Sequence, residues 1–225
     1  MSDEAKGPRR VRYNGTHPKS FKEKYKELNP ENYLEDVEKI KQQGKTPAGM
    51  HRSICVTEIM EFLKVVPGQV GLDATLGYGG HSLEILKCLS PNGLLYAMDV
   101  DPFELPRTEE RLLALGYGAK EIVFKKMNFS EIDVVALESG PLNFVLADLG
   151  VSSMQIDNPE RGFSFKIEGP LALRLNPKTG KSAAALLKTI APRKLAEVLF
   201  ENSDEPHYEV ITLAIMAKID RGIAI

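Results

Sequence analysis

Apolar residues gather in four short runs in the middle of the chain, and stretches with helical spacing separate these runs. Short apolar runs bounded by turn residues are typical of strands buried in a parallel sheet. We predict strands at Gln69–Leu72, Leu94–Met98, Ile122–Lys126 and Asn143–Ala147. The intervening helices are predicted at Ser82–Leu89 and from about Pro106 to Leu115. Strands that alternate with helices predict an α/β fold with a parallel sheet, whose ligands bind at the carboxyl ends of the strands.

Further helical patterns lie on either side of this region. Helices are predicted at Glu31–Gln43, within His51–Val66, and at Ser182–Thr189, Pro192–Glu201 and Glu205 to about Arg221. The segment between Asp148 and Ser182 is rich in glycine and proline and has little periodicity. A long irregular segment of this kind is usually either functional or disordered, and the aromatic residues Phe163 and Phe165 argue against disorder.

The turn after the first predicted strand carries the first chemical signal. Residues 73–82 read DATLGYGGHS, with three glycines within four residues directly before a helix. Glycine permits a sharp turn and a close approach of the backbone to a ligand, and a helix N-terminus favours an anionic group. The pattern nearly matches the dinucleotide fingerprint, but Ser82 stands in place of its third glycine. The motif alone is therefore also compatible with a purely structural turn.

Asp99, at the end of the second predicted strand, narrows the class of ligand. A carboxylate at this position can accept hydrogen bonds from both hydroxyls of a ribose. Asp73, Phe129 and Asp148 follow the other predicted strands, so we expect them at the same edge of the sheet. We predict a ligand that carries a ribose and a small anionic group. Asp101 is favoured as a helix cap, while Phe129 is either a core residue or a lid on a flat ring.

Composition limits the remaining possibilities. The chain has 225 residues, of which 43% are hydrophobic, and its net charge is -2, so one main domain with an appendage is expected. Its two cysteines, Cys55 and Cys88, lie in apolar contexts without metal-ligand spacing, which predicts buried, reduced thiols and no metal site. We see neither a run of 18 apolar residues nor a signal peptide, and we expect a cytoplasmic protein without a membrane span.

Residues 1–48 form a basic arm that differs from the rest of the chain. Eight of its cations lie close together and are interleaved with Tyr13, Phe21 and Tyr25: Lys6, Arg9, Arg10, Arg12, Lys19, Lys22, Lys24 and Lys26. Such a segment can neutralise phosphates and stack on bases, which predicts contacts with RNA at Arg9, Arg10 and Arg12. A solvated and partly disordered tail explains the same composition equally well.

Four longer stretches resemble one family. They read DATLGYGGHS (73–82), DLGVSSMQID (148–157), PERGFSF (159–165) and GPLALRLNP (169–177). In kind and order they are similar to stretches of the bacterial 16S rRNA cytosine-N4 methyltransferases of the RsmH/MraW type. The resemblance covers the chain from about His51 to its end and corresponds to the N-terminal portion of the family.

The resemblance implies a class I methyltransferase fold, with a Rossmann-like parallel sheet and a helical domain inserted after the fourth strand. Residues 1–50 would then be a basic extension and helix, 51–150 the S-adenosylmethionine-binding domain, and 151–225 a substrate-side loop with an incomplete helical insert. The implied substrate is a cytidine in the decoding region of small-subunit rRNA. The implied cofactor contacts are Gly79, Gly80, His81, Asp99, Phe129, Asp148 and Gln155.

The implied chemistry needs a hydrogen-bond acceptor beside the cytosine amine, because the lone pair of this amine is delocalised into the ring. Asp148 is the nearest candidate for the catalytic acceptor, with Ser152 and Ser153 as polar neighbours. The base must be unpaired or flipped to reach a pocket. Arg161 and Arg174 are predicted to hold RNA phosphates, although structural ion pairs are an equally good explanation of both.

Three departures from the family pattern leave other functions open. Ala172 and Asn176 stand where the family most often has carboxylates, and the basic arm is not part of the common pattern. The family's later strands have no counterpart here, which predicts an exposed edge on the fourth strand and a self-associating or marginally stable molecule. One rival function is a catalytically weak or silent module for RNA binding or ribosome assembly. The other is a nicotinamide-dependent enzyme, against which Ser82 and the DLGVSS stretch count.

Overall fold

A computed structural model of the chain describes residues 53–222. The basic arm and the predicted helix Glu31–Gln43 lie outside the described residues, as do Arg9, Arg10 and Arg12. Predictions that fall on these residues stay predictions.

A parallel four-stranded sheet forms the centre of the described part. Its strands are β1 (Val70–Asp73), β2 (Leu94–Met98), β3 (Ile122–Lys125) and β4 (Phe144–Leu146), in the spatial order β3-β2-β1-β4. Leu72 of β1 lies opposite Tyr96 of β2 and Val145 of β4. The chain moves outward from β1 to β3 and then returns to the other side of β1. This reversal makes the carboxyl ends of β1 and β4 the switch point at which doubly wound sheets bind ligands.

Helices flank the strands and continue after them. They are α1 (Val56–Leu63), α2 (Gly80–Leu89), α3 (Glu104–Ala114), α4 (Ile132–Ser139), α5 (Ser153–Asp157), α6 (Ala183–Leu187), α7 (Pro192–Ser203) and α8 (Tyr208–Asp220). Two short 3-10 turns cover Phe129–Glu131 and Pro159–Arg161. None of the helices among residues 53–222 is long and apolar enough to cross a membrane.

Two apolar clusters pack on opposite faces of the sheet because side chains alternate along each strand. Leu95 and Ala97 of β2 join the larger cluster with residues from α2 and α3. Tyr96 and Met98 of the same strand join the smaller cluster with Val135 of α4. The sheet is therefore buried by helices on both faces, as a parallel sheet requires.

The four predicted strands are confirmed, each within one residue at either end. Two helices were not predicted. Helix α4 buries only Val135, so its sequence carries a weak periodic signal. Helix α5 is short and lies in the segment predicted to be irregular. Ser152 and Gln155 form a capping box at its start, which is a sequence signal for a helix N-terminus.

The structure corrects the expected burial of both thiols, because Cys55 is exposed and Cys88 is half-buried. The predicted exposed edge of the fourth strand is present: β4 lies at the edge of the sheet that residues 53–222 form, and its Val145 is 44% exposed.

Candidate functional site

The glycine turn between β1 and α2 uses backbone conformations that favour glycine. Gly77 and Gly79 have φ angles of 49° and 77°, in the left-handed region that favours glycine. A Cβ atom on Gly79 would lie 2.7 Å from Cγ2 of Thr108, and one on Gly80 would lie 2.2 Å from Oγ of Ser53. The turn is therefore packed closely between Thr108 of α3 and Ser53, which lies three residues before the start of α1.

Helix α3 holds this turn through hydrogen bonds to its carbonyl groups. The hydroxyl of Thr108 donates to the carbonyl oxygen of Gly77 over 2.6 Å. Arg111 donates to the carbonyl oxygen of Tyr78, and its guanidinium lies over the Tyr78 ring. The N–H groups in the first turn of α2 have no acceptor within the helix, as at any helix N-terminus. An anionic group is stabilised at such a position.

Asp99 connects the glycine turn to the end of β2. The N–H of Gly77 donates to its Oδ2 over 2.7 Å, and the N–H of Asp101 donates to its Oδ1 over 2.8 Å. Burial raises the pKa of the Asp99 carboxyl above its usual value, although these backbone N–H groups oppose the shift. Each carboxylate oxygen has a second lone pair, so both can accept a further hydrogen bond from a ligand.

Asp73 has an internal role, although it lies at the same edge of the sheet. Its side chain is buried, and its Oδ2 accepts a 2.6 Å hydrogen bond from the hydroxyl of Ser82. The N–H of Thr75 donates to its Oδ1 over 3.0 Å. Burial raises the pKa of Asp73, and the Ser82 hydroxyl opposes this shift most strongly. Ser82, which replaces the third glycine of the dinucleotide pattern, therefore ties α2 to β1.

A cavity of about 430 Å³ opens at the carboxyl ends of the strands. Its walls contain every cofactor and catalytic residue predicted from the sequence: Gly79, Gly80, His81, Asp99, Phe129, Asp148, Ser152, Ser153 and Gln155. Phe129 is half-exposed at the cavity and does not belong to the core. The structure thus brings these residues together, while their roles stay predictions.

A second cavity of about 560 Å³ shares part of its wall with the first, including Val100 and Asn128. It extends toward Lys126, Arg174 and Asn176. Arg174 donates to the carbonyl oxygen of Gly180 over 3.1 Å, and its buried Nε has no hydrogen-bond partner among the described residues. The guanidinium of Arg174 therefore lies beside a cavity large enough for a polar ligand.

Asp148 faces the glycine turn from the end of β4. Its N–H donates to Oγ1 of Thr75 over 2.8 Å, which holds the backbone of β4 against β1. Its side chain is 45% exposed, and its Oδ2 lies 3.6 Å from Nε2 of His81. The His81 ring is buried, and this nitrogen has no hydrogen-bond partner within residues 53–222.

Asp101 is the centre of a buried polar network that the sequence did not reveal. Its Oδ1 accepts hydrogen bonds from the N–H groups of Phe103 and Glu104, so it satisfies the N–H of the first residue of α3, although the N-cap residue is Phe103. Its Oδ2 accepts hydrogen bonds of 2.9 Å from Nε2 of Gln155 and from the guanidinium of Arg161. The network therefore ties the end of β2 to the segment that follows β4.

Arg161 lies inside the protein with its charge paired. Its side chain is 8% exposed, and it also donates to the carbonyl oxygens of Arg174 and Leu175. This is the ion-pair alternative considered for Arg161, and its guanidinium does not face solvent as a phosphate ligand would require. Sixty residues separate Asp101 from Arg161, so no local pattern could have predicted their contact.

The sequence model of the MraW methylase family matches residues 48–222. The chain belongs to this family. The strand order and the family together confirm the predicted class I, Rossmann-like parallel sheet.

The chain is similar to longer proteins whose names describe an rRNA methyltransferase. It is 68% identical over 222 residues to ribosomal RNA small subunit methyltransferase H 2 of Alkaliphilus metalliredigens, covering 99% of this chain and 64% of that protein. It is 62% identical over 214 residues to ribosomal RNA small subunit methyltransferase H 1 of Lachnoclostridium phytofermentans, covering 95% of this chain and 58% of that protein. The chain thus spans about three fifths of the length of these relatives.

The basic arm lies before the residues that the MraW family model matches. The alignment with the A. metalliredigens protein nevertheless covers 99% of this chain, so it includes most of the arm. Almost all of the arm therefore lies outside the family model, and the alignment with this relative extends over most of it.

Proposed function

We propose that this chain forms the cofactor-binding part of an S-adenosylmethionine-dependent rRNA methyltransferase. The proposed reaction transfers a methyl group to the N4 amine of a cytidine in 16S rRNA. The observation that carries this proposal is the placement of the glycine turn, Asp99 and Asp148 around one cavity at the switch point of the sheet. The names of the relatives, which refer to small-subunit rRNA, support the class of substrate.

The residues around the cavity fit the chemical groups of S-adenosylmethionine. The N–H groups at the start of α2 would hold the methionine carboxylate, since the helix dipole favours an anion there. The two oxygens of Asp99 would accept the ribose hydroxyls, and the exposed ring of Phe129 would cover the adenine. A volume of about 430 Å³ lies within the range of small-molecule pockets. When bound, the cofactor supplies an activated methyl group.

Asp148 is the group that we propose to act on the cytosine amine. Its carboxylate is half-exposed at the cavity, and Ser152 and Ser153 lie on the same wall. A carboxylate oxygen would accept a hydrogen bond from the amine, orient its lone pair, and take up the proton that the amine loses. Orientation of this kind supplies a large part of many enzymatic accelerations. The base would enter the cavity unpaired or flipped out of a helix.

The RNA is proposed to approach from the side of the second cavity. Arg174 is the arginine beside that cavity, while Arg9, Arg10 and Arg12 would add contacts from the arm. The internal ion pair of Arg161 supports a different role, in which it holds the segment after β4 in place. A ribosomal substrate places the proposed activity in the cytoplasm.

Binding and transfer assays on the full chain test this function. Calorimetry should detect binding of S-adenosylmethionine and not of NAD, since NAD binding would indicate the nicotinamide-dependent alternative. Tritiated S-adenosylmethionine should label the rRNA of small-subunit particles, and nuclease digestion should recover the label as N4-methylcytidine. A chain that binds both the cofactor and the particles, yet leaves the rRNA unlabelled, would instead be an RNA-binding or assembly module.

Variants of the two carboxylates sharpen the transfer assay. Asp148→Asn should abolish labelling, because a neutral amide cannot take up the proton that the amine loses. Asp99→Asn should lower the affinity for the cofactor. Asp133→Asn is the matched control, because this aspartate is exposed on α4 and does not line the cavity. Labelling by Asp148→Asn at the wild-type rate would contradict the assignment of the acceptor.

A further inference from the structure

We propose that His81 is a positioning residue for Asp148, and this inference rests on the proposed function, in which Asp148 accepts a hydrogen bond from the substrate amine. The starting observation is the buried Nε2 of His81, which has no hydrogen-bond partner among residues 53–222. Buried polar atoms in proteins nearly always have a partner, so each exception needs an explanation. Oδ2 of Asp148 lies 3.6 Å from this nitrogen.

The two ends of Asp148 are held in different ways. Its backbone N–H is fixed by the hydrogen bond to Thr75, which joins β4 to β1. Its carboxylate extends from this anchor and is 45% exposed, and no described residue donates a hydrogen bond to it. Rotation about the side-chain torsions would therefore move the acceptor oxygens relative to the substrate. A contact with His81 removes this freedom.

His81 has the position and the chemistry to make that contact. Its backbone belongs to the first turn of α2, and Ser82 beside it is tied to the buried Asp73. The imidazole is therefore attached to a rigid part of the fold. A neutral imidazole with its proton on Nε2 donates one hydrogen bond, which would close the 3.6 Å gap to about 2.8 Å.

The two oxygens of the Asp148 carboxylate would then have different hydrogen-bond partners. Oδ2 of Asp148 accepts from His81, and Oδ1 stays available for the amine of the base. A catalytic group that is oriented by a second side chain is a recurring arrangement in enzymes. His81 itself touches neither the base nor the migrating methyl group in this arrangement.

A direct contact between His81 and the cofactor is the competing role, and it is the one that the family resemblance implies. The two roles differ in what a substitution changes. Loss of a cofactor contact weakens cofactor binding, whereas loss of a positioning contact lowers kcat and leaves binding unchanged.

Nitrogen NMR of the full chain without ligand tests the contact itself. His81→Gln identifies the ring-nitrogen signals of His81 by their loss. In the wild type, Nε2 of His81 should carry the proton, and its signal should shift in Asp148→Asn while the signals of the exposed His207 stay in place. Ring signals of His81 that are identical in the two proteins would overturn the proposal. This measurement requires no methyl transfer, so it decides the contact even if the proposed function fails.

Kinetics on small-subunit particles test the consequence. His81→Phe should lower kcat about tenfold, the effect of losing one charge-assisted hydrogen bond, with the KM for the particles unchanged. His81→Gln should recover most of the loss, because its amide nitrogen reaches nearly the same place as Nε2. Weaker calorimetric binding of S-adenosylmethionine by His81→Phe, or equal losses in the Phe and Gln variants, would overturn the positioning role.

Discussion

Replacing Arg161 by methionine should destabilise the protein strongly, because it breaks a buried ion pair. The guanidinium is 8% exposed and its partner, the carboxylate of Asp101, is fully buried. Methionine keeps much of the aliphatic volume and removes the charge. After the substitution Asp101 keeps three donors, the N–H groups of Phe103 and Glu104 and the side-chain amide of Gln155.

The magnitude follows from these contacts. Removing one partner of a buried pair costs about 3–5 kcal/mol, because the other charge is left without compensation. The three remaining donors place the expected loss near the lower limit, about 3 kcal/mol. A loss of that size lowers the Tm of a domain of this length by roughly 6–12 °C. Arg161→Lys should lose less stability than Arg161→Met, because lysine keeps the positive charge. It should still be less stable than the wild type, because lysine cannot reach Asp101 and both carbonyl oxygens together.

Urea unfolding followed by circular dichroism measures the difference in free energy of unfolding. The control is Arg193→Met, because Arg193 is 93% exposed on α7 and its pair with Glu197 lies at the surface. This variant should unfold like the wild type. If Arg161→Met and Arg193→Met were equally stable, the buried ion pair between Arg161 and Asp101 would not stabilise the fold as we infer. If Arg161→Lys lowered RNA affinity without any loss of stability, the phosphate-binding role predicted from the sequence would be favoured instead.

Five further predictions concern the cofactor, the arm, the turn and the sheet edge. Asp99→Ala should lose two charge-assisted hydrogen bonds to the ribose, about 1.5–3 kcal/mol each, and unchanged calorimetric affinity would refute the assignment. Because burial raises the pKa of Asp99, the affinity of the wild type for the cofactor should fall as the pH drops through that raised pKa, at a higher pH than for an ordinary aspartate. The affinity of Asp99→Asn should not change over the same pH range. Deleting residues 1–28 should weaken RNA binding and flatten its salt dependence, and an identical salt slope would exclude an electrostatic role for the arm. Ser82→Ala should cost about 1–3 kcal/mol in thermal unfolding, since Oδ2 of the buried Asp73 loses its donor; a wild-type Tm would show that this hydrogen bond is dispensable. Light scattering should show self-association of the wild type that Val145→Lys reduces, and a monomeric wild type would contradict pairing through the edge of β4.

Short apolar runs in the sequence were enough to predict the strands, because burial of a parallel sheet between helices favours apolar residues along each strand. The same reasoning placed Asp99 and Asp148 at one edge, since parallel strands end together. The cavity that contains them thus followed from local signals plus a single topological rule. Helix α4 shows the limit of this reasoning, because an element that buries only Val135 needs little apolar pattern to form.

The tertiary structure alone decided how the polar side chains are shared among their partners. Asp73 ends β1 and Asp99 follows β2, the neighbouring strand, yet Asp73 is buried against Ser82 whereas Asp99 lines the cavity. Arg161 looked equally suited to RNA and to an ion pair until the fold placed it beside Asp101, sixty residues earlier in the chain. Hydrogen bonds and ion pairs depend on distances of a few ångströms between groups far apart in sequence. Composition and spacing carry no information about such distances. Only the folded chain therefore distinguishes the carboxylates that stabilise the fold from those that can bind a ligand.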